Sequence, residues 1–325
     1  MLEDTPAMII DIDPRVDIVF KKLFGSPDHP AITLSFVNGI LEAARLPRAV
    51  SLRVENPFRL ADFRGGKSSE LDILYTNELG TEIQLEMQIE SHTGIARRMI
   101  HNWTQLYGRQ LEQGQDYNDH RPAVSIWILN QKTFDDGDAW FHVFTYCSLQ
   151  TGLVLHGDAT IITIELPVWA RRAGFTAHEV PEKACGAPDD TDATTTALSA
   201  TVHGAILEGV ERWNWFLTRA GGQQVDTVTR ILPDPVFSEA VQIMTDFTKQ
   251  RALRHAYDMR RNYEHIVASY KRTGYDAGLV DGKAEGKSDI VRRMLARGMS
   301  LDVIADITGL TDKELGDLVQ TYGAG

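Results

Sequence analysis

The segment from Lys67 to Gln88, KSSELDILYTNELGTEIQLEMQ, restricts the folds open to this chain more than any other stretch. Two runs of alternating character, residues 71–75 and 82–88, flank Asn77-Glu78-Leu79-Gly80-Thr81, whose composition is that of a hairpin loop. The two runs are therefore expected to be antiparallel neighbours. With Thr76 paired to Glu82, Asp72 stands directly opposite Glu86, and Gln88 lies two residues further along the same face. Facing carboxylates repel unless something compensates. A divalent cation does so, and oxygen-only ligands suit Mg²⁺, which keeps its other positions for water and phosphate oxygens and can assist an in-line phosphodiester displacement. Without a cation, the same acids simply keep one face of a hairpin wet.

Around this hairpin the pattern alternates between helix and strand. Asp13-Pro14 reads as a helix opening, with Val16, Val19, Phe20, Leu23 and Phe24 forming an apolar stripe that stops at Gly25. Ser26-Pro27 breaks the chain before a second helix over 31–44, and 51–54 can form a first strand. After Gln88 a helix is expected from Ile95 to Gln113, with Ile100, Trp103, Tyr107, Gln110 and Leu111 on its packed face. Residues 124–129 are almost continuously apolar, as in a strand buried on both sides, and 141–147 and 160–166 look like further strands. The expected core is a mixed α/β sheet flanked by helices.

Residues 181–196, PEKACGAPDDTDATTT, have the small polar composition of a linker. Helical patterns follow over 197–219 and, after Asp234-Pro235, over 236–272. Trp213, Trp215 and Phe216 need a surface to pack against, either the core or another subunit, so a homo-oligomer is expected. Glycines at 274, 278, 282 and 286 form a four-residue repeat read as a tether or a close-packed helix, and short helices end the chain. Met299 to Val319 resembles a helix-turn-helix, but Lys313 against Glu314 and Asp317 is a poor balance for a major groove, which favours protein contact or packing. Three segments result: 1–185, 186–273 and 274–325.

Composition narrows the function. The formal charge of −12, from 33 basic and 45 acidic residues, argues against a general coating of polyanions, so any contact with nucleic acid must be local. Only Cys147 and Cys185 are present, which suggests neither a disulfide framework nor a zinc site and fits a reducing cytoplasm. No apolar run is long enough to cross a bilayer. His-Glu-x-x-His, Gly-x-Ser-x-Gly and dinucleotide-binding glycine motifs do not occur.

Three stretches in order, Asp17-Ile18-Val19-Phe20-Lys21-Lys22-Leu23-Phe24-Gly25, the Lys67–Gln88 hairpin and Tyr107-Gly108-Arg109-Gln110, resemble the PD-(D/E)XK nuclease superfamily in the version carried by the transposase-associated, recombination-promoting nuclease (Rpn) family. The resemblance implies a restriction-endonuclease-like core, with a C-terminal helical extension, acting as a metal-dependent DNA endonuclease linked to mobile elements or recombination. By that likeness Asp72 and Glu86 are metal ligands, for Mg²⁺ with Mn²⁺ or Ca²⁺ as substitutes, and double-stranded DNA is the partner. Gln88 stands where the superfamily usually has Lys. A neutral amide can position water but cannot offset charge. Lys67 either supplies that charge or is an ordinary surface lysine. Asp17 either extends the metal site or complements a helix N-terminus. Tyr107 and Gln110 either bond a scissile phosphate or water, or serve packing. Arg97, Arg98 and Lys21 are candidates for DNA phosphates, the arginines more so because guanidinium binds phosphate bidentately. The alternative is a catalytically inactive DNA-binding or assembly module of the same fold.

Overall fold

The computed structural model describes residues 8–56, 73–89, 94–175 and 208–262, with short stretches at 201–202, 205–206, 291–295 and 300–308 and isolated positions beyond 262. Asp72, Lys67, the 181–196 linker and the glycine repeat lie outside these residues. The chain divides into two compact units, Met1–Arg260 and Arg261–Gly325.

The first unit is built on six strands: β1 (Leu52–Val54), β2 (Ile73–Asn77), β3 (Glu82–Gln88), β4 (Ala123–Leu129), β5 (Phe141–Phe144) and β6 (Ala159–Glu165). They lie in the order β1-β2-β3-β4-β6-β5. The β2–β3 hairpin pairs antiparallel with Thr76 opposite Glu82 and Ile73 opposite Leu85, the register expected from the loop length. Strands β3, β4 and β6 run parallel, so each needs a crossover, and β5 folds back antiparallel on β6 as an edge. All seven residues of β4 are buried, because helices cover both faces of the sheet there.

Strand alternation sends Ile83, Leu85, Met87, Val124, Ile126 and Ile128 to one face, where they join the main core with α1 (Asp17–Phe24) and α2 (Pro30–Ala43). Gln84, Glu86 and Gln88 point to the other face, under α3 (Ile95–Gly108). Helix α3 buries Ile95, Met99, Trp103 and Leu106, an i, i+4, i+8, i+11 stripe, and leaves Ile100 exposed. The expected face centred on Ile100 and Tyr107 is therefore rotated from the true one, since Ile95 and Met99 fix the packing angle. The helix also stops at Gly108 rather than running to Gln113. Helix α1 starts at Asp17 instead of Pro14. The Asp13 carboxylate accepts from the backbone and guanidinium of Arg15 and so does not cap the helix.

Helix α4 (Leu166–Arg172) continues directly from β6. The short strands β7 (Thr201–Val202) and β8 (Ala205–Ile206) then precede α5 (Val210–Arg219), where helix was expected throughout. Helices α6 (Val225–Ile231), α7 (Pro235–Lys249) and α8 (residues 251–262) follow. Asp234 caps α7 through the Val236 N–H at 3.2 Å with Pro235 at the first turn, as its sequence indicates, and Gln250 leaves helical geometry between α7 and α8. Helices α5 to α7, expected as a separate extension, pack into the same core as the sheet. Trp213 lies 4.4 Å from Phe237 and 5.5 Å from Phe24 between ring centroids, and Trp213, Trp215 and Phe216 are all buried. Of the two surfaces expected to cover these aromatics, the core of the same chain is the one observed, so they give no support to an oligomer.

In the second unit, helix α9 (Leu301–Thr308) belongs to an apolar cluster of Val291, Ile304, Leu310 and Leu315. Among the described residues, no helix is long and apolar enough to cross a membrane.

Candidate functional site

The site is built from β3 outward. Glu86 has no exposed surface and Gln88 is almost fully buried, yet both side chains are polar and lie two residues apart on one strand face. Burying an ion costs several kcal/mol unless it is paired, so the carboxylate needs a cation. Arg98, one turn into α3, supplies it. Its Nη2 donates to Glu86 Oε1 and its Nη1 to Gln88 Oε1, each at 2.9 Å. Gly94, with φ +87, opens the helix in a conformation that favours glycine, and Arg98 N donates to its carbonyl at 3.1 Å, so the first turn holds the guanidinium over the strand.

The guanidinium also lies 5.5 Å from the centroid of the Trp127 ring on β4. Trp127 Nε1 donates to Ser125 Oγ at 2.8 Å, and Ser125 Oγ donates to Gln84 Oε1 at 3.1 Å. A buried polar row thus runs under α3 from Gln84 to Gln88. The Arg98 side chain keeps 40% of its surface exposed, so the row opens to solvent at the guanidinium. Glu86 and Gln88 offer two oxygens to one cationic group, and oxygen donors of this kind fit a hard divalent ion. Among the described residues, no group of three His, Cys, Asp or Glu side chains is placed to hold a metal.

At the next position of the sheet, Gln88 is level with Leu129 and Glu165. Glu165 is fully buried, and its Oε1 accepts from the backbone N–H groups of Thr133 and Phe134 at 2.7 and 3.0 Å, which clamps the loop after β4. Sequence reasoning missed it. The available signal was an acid closing an otherwise apolar strand.

The other sequence candidates are distributed as follows. Asp17 is buried, ion-pairs with Arg260 at 2.7 Å and accepts from Ile18 N at 2.6 Å. Burial pushes its carboxyl above the ordinary value of 3.8, against the pull of Arg260, the Ile18 N–H and Lys21. Lys21 is itself buried, and Arg97 is exposed. Tyr107 Oη donates to Asp158 at 3.2 Å, and Gln110 Oε1 accepts from Arg121 N at 2.9 Å. Tyr107 follows Arg98 by nine residues, ~13 Å along a helix, so these two groups serve the opposite end of the sheet from Glu86. Asp72 and Lys67 lie outside the described residues.

Comparison with known proteins gives two matches, whereas no curated protein and no solved structure matches the chain. The family described as PD-(D/E)XK nuclease family transposase matches residues 14–274, which include the whole sheet and helices α1 to α7. Residues 285–320 match the C-terminal HTH domain of the Rpn/YhgA-like nuclease family, in agreement with the helix-turn-helix pattern of Met299 to Val319. With most of its length covered and the mixed sheet in place, the chain belongs to the PD-(D/E)XK nuclease family transposases and carries an Rpn/YhgA-like helix-turn-helix at its C-terminal end.

Proposed function

We propose that the chain is a divalent-metal-dependent endonuclease that hydrolyses phosphodiester bonds of double-stranded DNA in the movement or rearrangement of mobile elements. The observation that carries this reading is the Glu86–Gln88 pair, two buried oxygen donors gathered around one cation on a central strand. Asp72 and Glu86 hold Mg²⁺, or Mn²⁺ or Ca²⁺ in its place. The chemistry such an ion supplies is neutralisation of phosphate charge and activation of water. Gln88 orients the attacking water through its amide, which can both donate and accept.

Arg98 is the exposed member of the cluster, and its fork can meet a phosphate bidentately when DNA enters. Arg97 beside it contacts the flanking backbone. Lys21, buried near Asp17, is not needed for this. Affinity away from the site comes from the helix-turn-helix, whose basic residues other than Lys313 are gathered at Lys287, Arg292, Arg293 and Arg297. These precede the second helix of the motif, so they position the duplex rather than read bases.

Nicking of supercoiled plasmid with and without chelator tests the activity. Glu86→Ala and Asp72→Ala should each abolish Mg²⁺-dependent cutting while circular dichroism stays unchanged. Undiminished cutting by both removes these acids from the mechanism.

A second reading is favoured by the same cluster. Arg98 already holds the oxygens of Glu86 and Gln88, as it would in a catalytically silent DNA-binding module. Calorimetric titration with Mn²⁺ separates the two: uptake lost in Glu86→Ala supports the nuclease, and no uptake by the wild type supports the silent module.

A further inference from the structure

The two edges of the sheet are protected differently. Strand β1 carries Arg53, ion-paired with Glu55 at 2.8 Å, and charge on an edge strand discourages pairing with another chain. Strand β5 carries only His142, whose Nδ1 lies 3.4 Å from the Asp136 carboxylate at its side. From Phe141 to Gly157 there is no Lys, Arg, Asp or Glu, where a run of that length would hold about four at the 24% charged content of the whole chain. Beyond β5 the same run continues as a hairpin arm, closed by Ser148 N to Leu153 O at 2.9 Å and Leu155 N to Tyr146 O at 3.0 Å. Its large side chains are apolar and turned outward, with Leu149 94% and Leu155 82% exposed.

Beside the arm is a concave counterpart. A cavity of about 270 Å³ between α3 and β5 is lined by Met99, Ile100, Trp103, Phe144, Tyr146 and Ile161. Its neighbours Ile100, Phe144 and Tyr146 are among the exposed apolar residues of the same patch. Projection and hollow thus share one surface, which is what a self-complementary two-fold contact requires. At ~150–200 Å² for a fully exposed large apolar side chain, Ile100, Val143, Phe144 and Tyr146 with the arm residues 149–155 present on the order of 800 Å², the share of one partner in a standard interface.

Charge selects the occupant. Two copies carrying −12 each repel over most of their surfaces, and a stretch with no Lys, Arg, Asp or Glu of its own, bordered by Asp136 and Asp158 on His142 and His156, is where they meet at least cost. We infer that the β5 edge, the 145–156 arm and the adjoining cavity form a two-fold interface with a second copy of this chain, in which the side of β5 turned away from β6 meets its counterpart. The arm is already ordered by its own backbone bonds, so little conformational freedom is lost on docking. The site around Glu86 takes no part in this contact, so the inference stands independently of the proposed cleavage.

The test is sedimentation of the full chain at micromolar concentration, alongside Leu149→Glu/Leu155→Glu, whose positions are exposed and outside the core. The wild type should sediment at twice the monomer mass and the double variant at the monomer mass, with matching circular dichroism. Hydrogen exchange gives a second reading, with the amides of 141–147 becoming slower to exchange as wild-type concentration rises and staying fast in the variant. A wild-type monomer, a dimer that survives the double substitution, or protection of 141–147 that is independent of concentration, as a segment of the same chain lying on the edge would give, each overturns the inference.

Discussion

Arg98 serves two acceptors and one aromatic ring at once, which makes it the residue on which the site's electrostatics turn. Removing a partner from a fully buried ion pair costs about 3–5 kcal/mol, and the 40% exposure of Arg98 reduces this, so Arg98→Ala should lower stability by about 2 kcal/mol in urea unfolding. The same variant should bind Mn²⁺ more tightly by calorimetry, because the guanidinium no longer competes for the carboxylate. Asp17 behaves differently. Its folded-state carboxyl is raised above 3.8 chiefly by burial, so the folded chain binds that proton more tightly than the unfolded chain. Its contribution is therefore fully present below 3.8 and declines as pH rises through the higher folded value. Asp17→Asn cannot titrate, so the stability of the wild type relative to this variant should fall across that window and level off above it, as read from urea midpoints at a series of pH values. Neither role was visible in the sequence, because Arg98 and Arg260 reach their partners across 12 and 243 residues of chain, and spacing rules act only between near neighbours.

At the level of elements, what was legible depended on how local the determining interaction is. The β2–β3 register follows from a five-residue loop and the alternation of its flanks, and β4 from an unbroken apolar run; both are written within a few residues. The face of α3 was misread because Ile100 and Met99 satisfy helical periodicity equally well, and only the sheet beneath decides between them. For Trp213, hydrophobicity demanded burial but did not name the cover, which is α2 and α7 of the same chain. The candidate site was legible as Glu86 and Gln88 facing one way, and illegible in the cation that joins them. Contact between α2 and the start of α5 also rests on a small residue. A Cβ added at Gly39 would lie 3.1 Å from Val210 N and 3.2 Å from the carbonyl carbon of Gly209, backbone atoms with little room to yield. Gly39→Ala should therefore destabilise by about 2 kcal/mol in spite of better helix propensity, shown by a lower urea midpoint with an unchanged slope.

For the whole molecule, an acidic chain in a nuclease family divides its charge between tasks. If the helix-turn-helix supplies backbone contacts, replacing Arg292 and Arg293 with Glu should weaken binding to any duplex and flatten the dependence of log affinity on log salt by about two, as measured by fluorescence anisotropy across a salt series. Sequence preference should be unchanged. A different property follows from how the first unit is closed. Ile9 bridges Gln224, the Asp13 N–H meets the Tyr257 hydroxyl at 3.0 Å, Asp11 holds Arg254 at 2.7 Å and Asp17 holds Arg260. The opening segment is thus fastened by groups near residues 224 to 260, and a ribosome must deliver nearly all of that stretch before the fold can lock. Until residues 224 to 260 have emerged, the strands and helices between them and residue 9 lack the contacts that close the unit, and their apolar faces stay open to other partners.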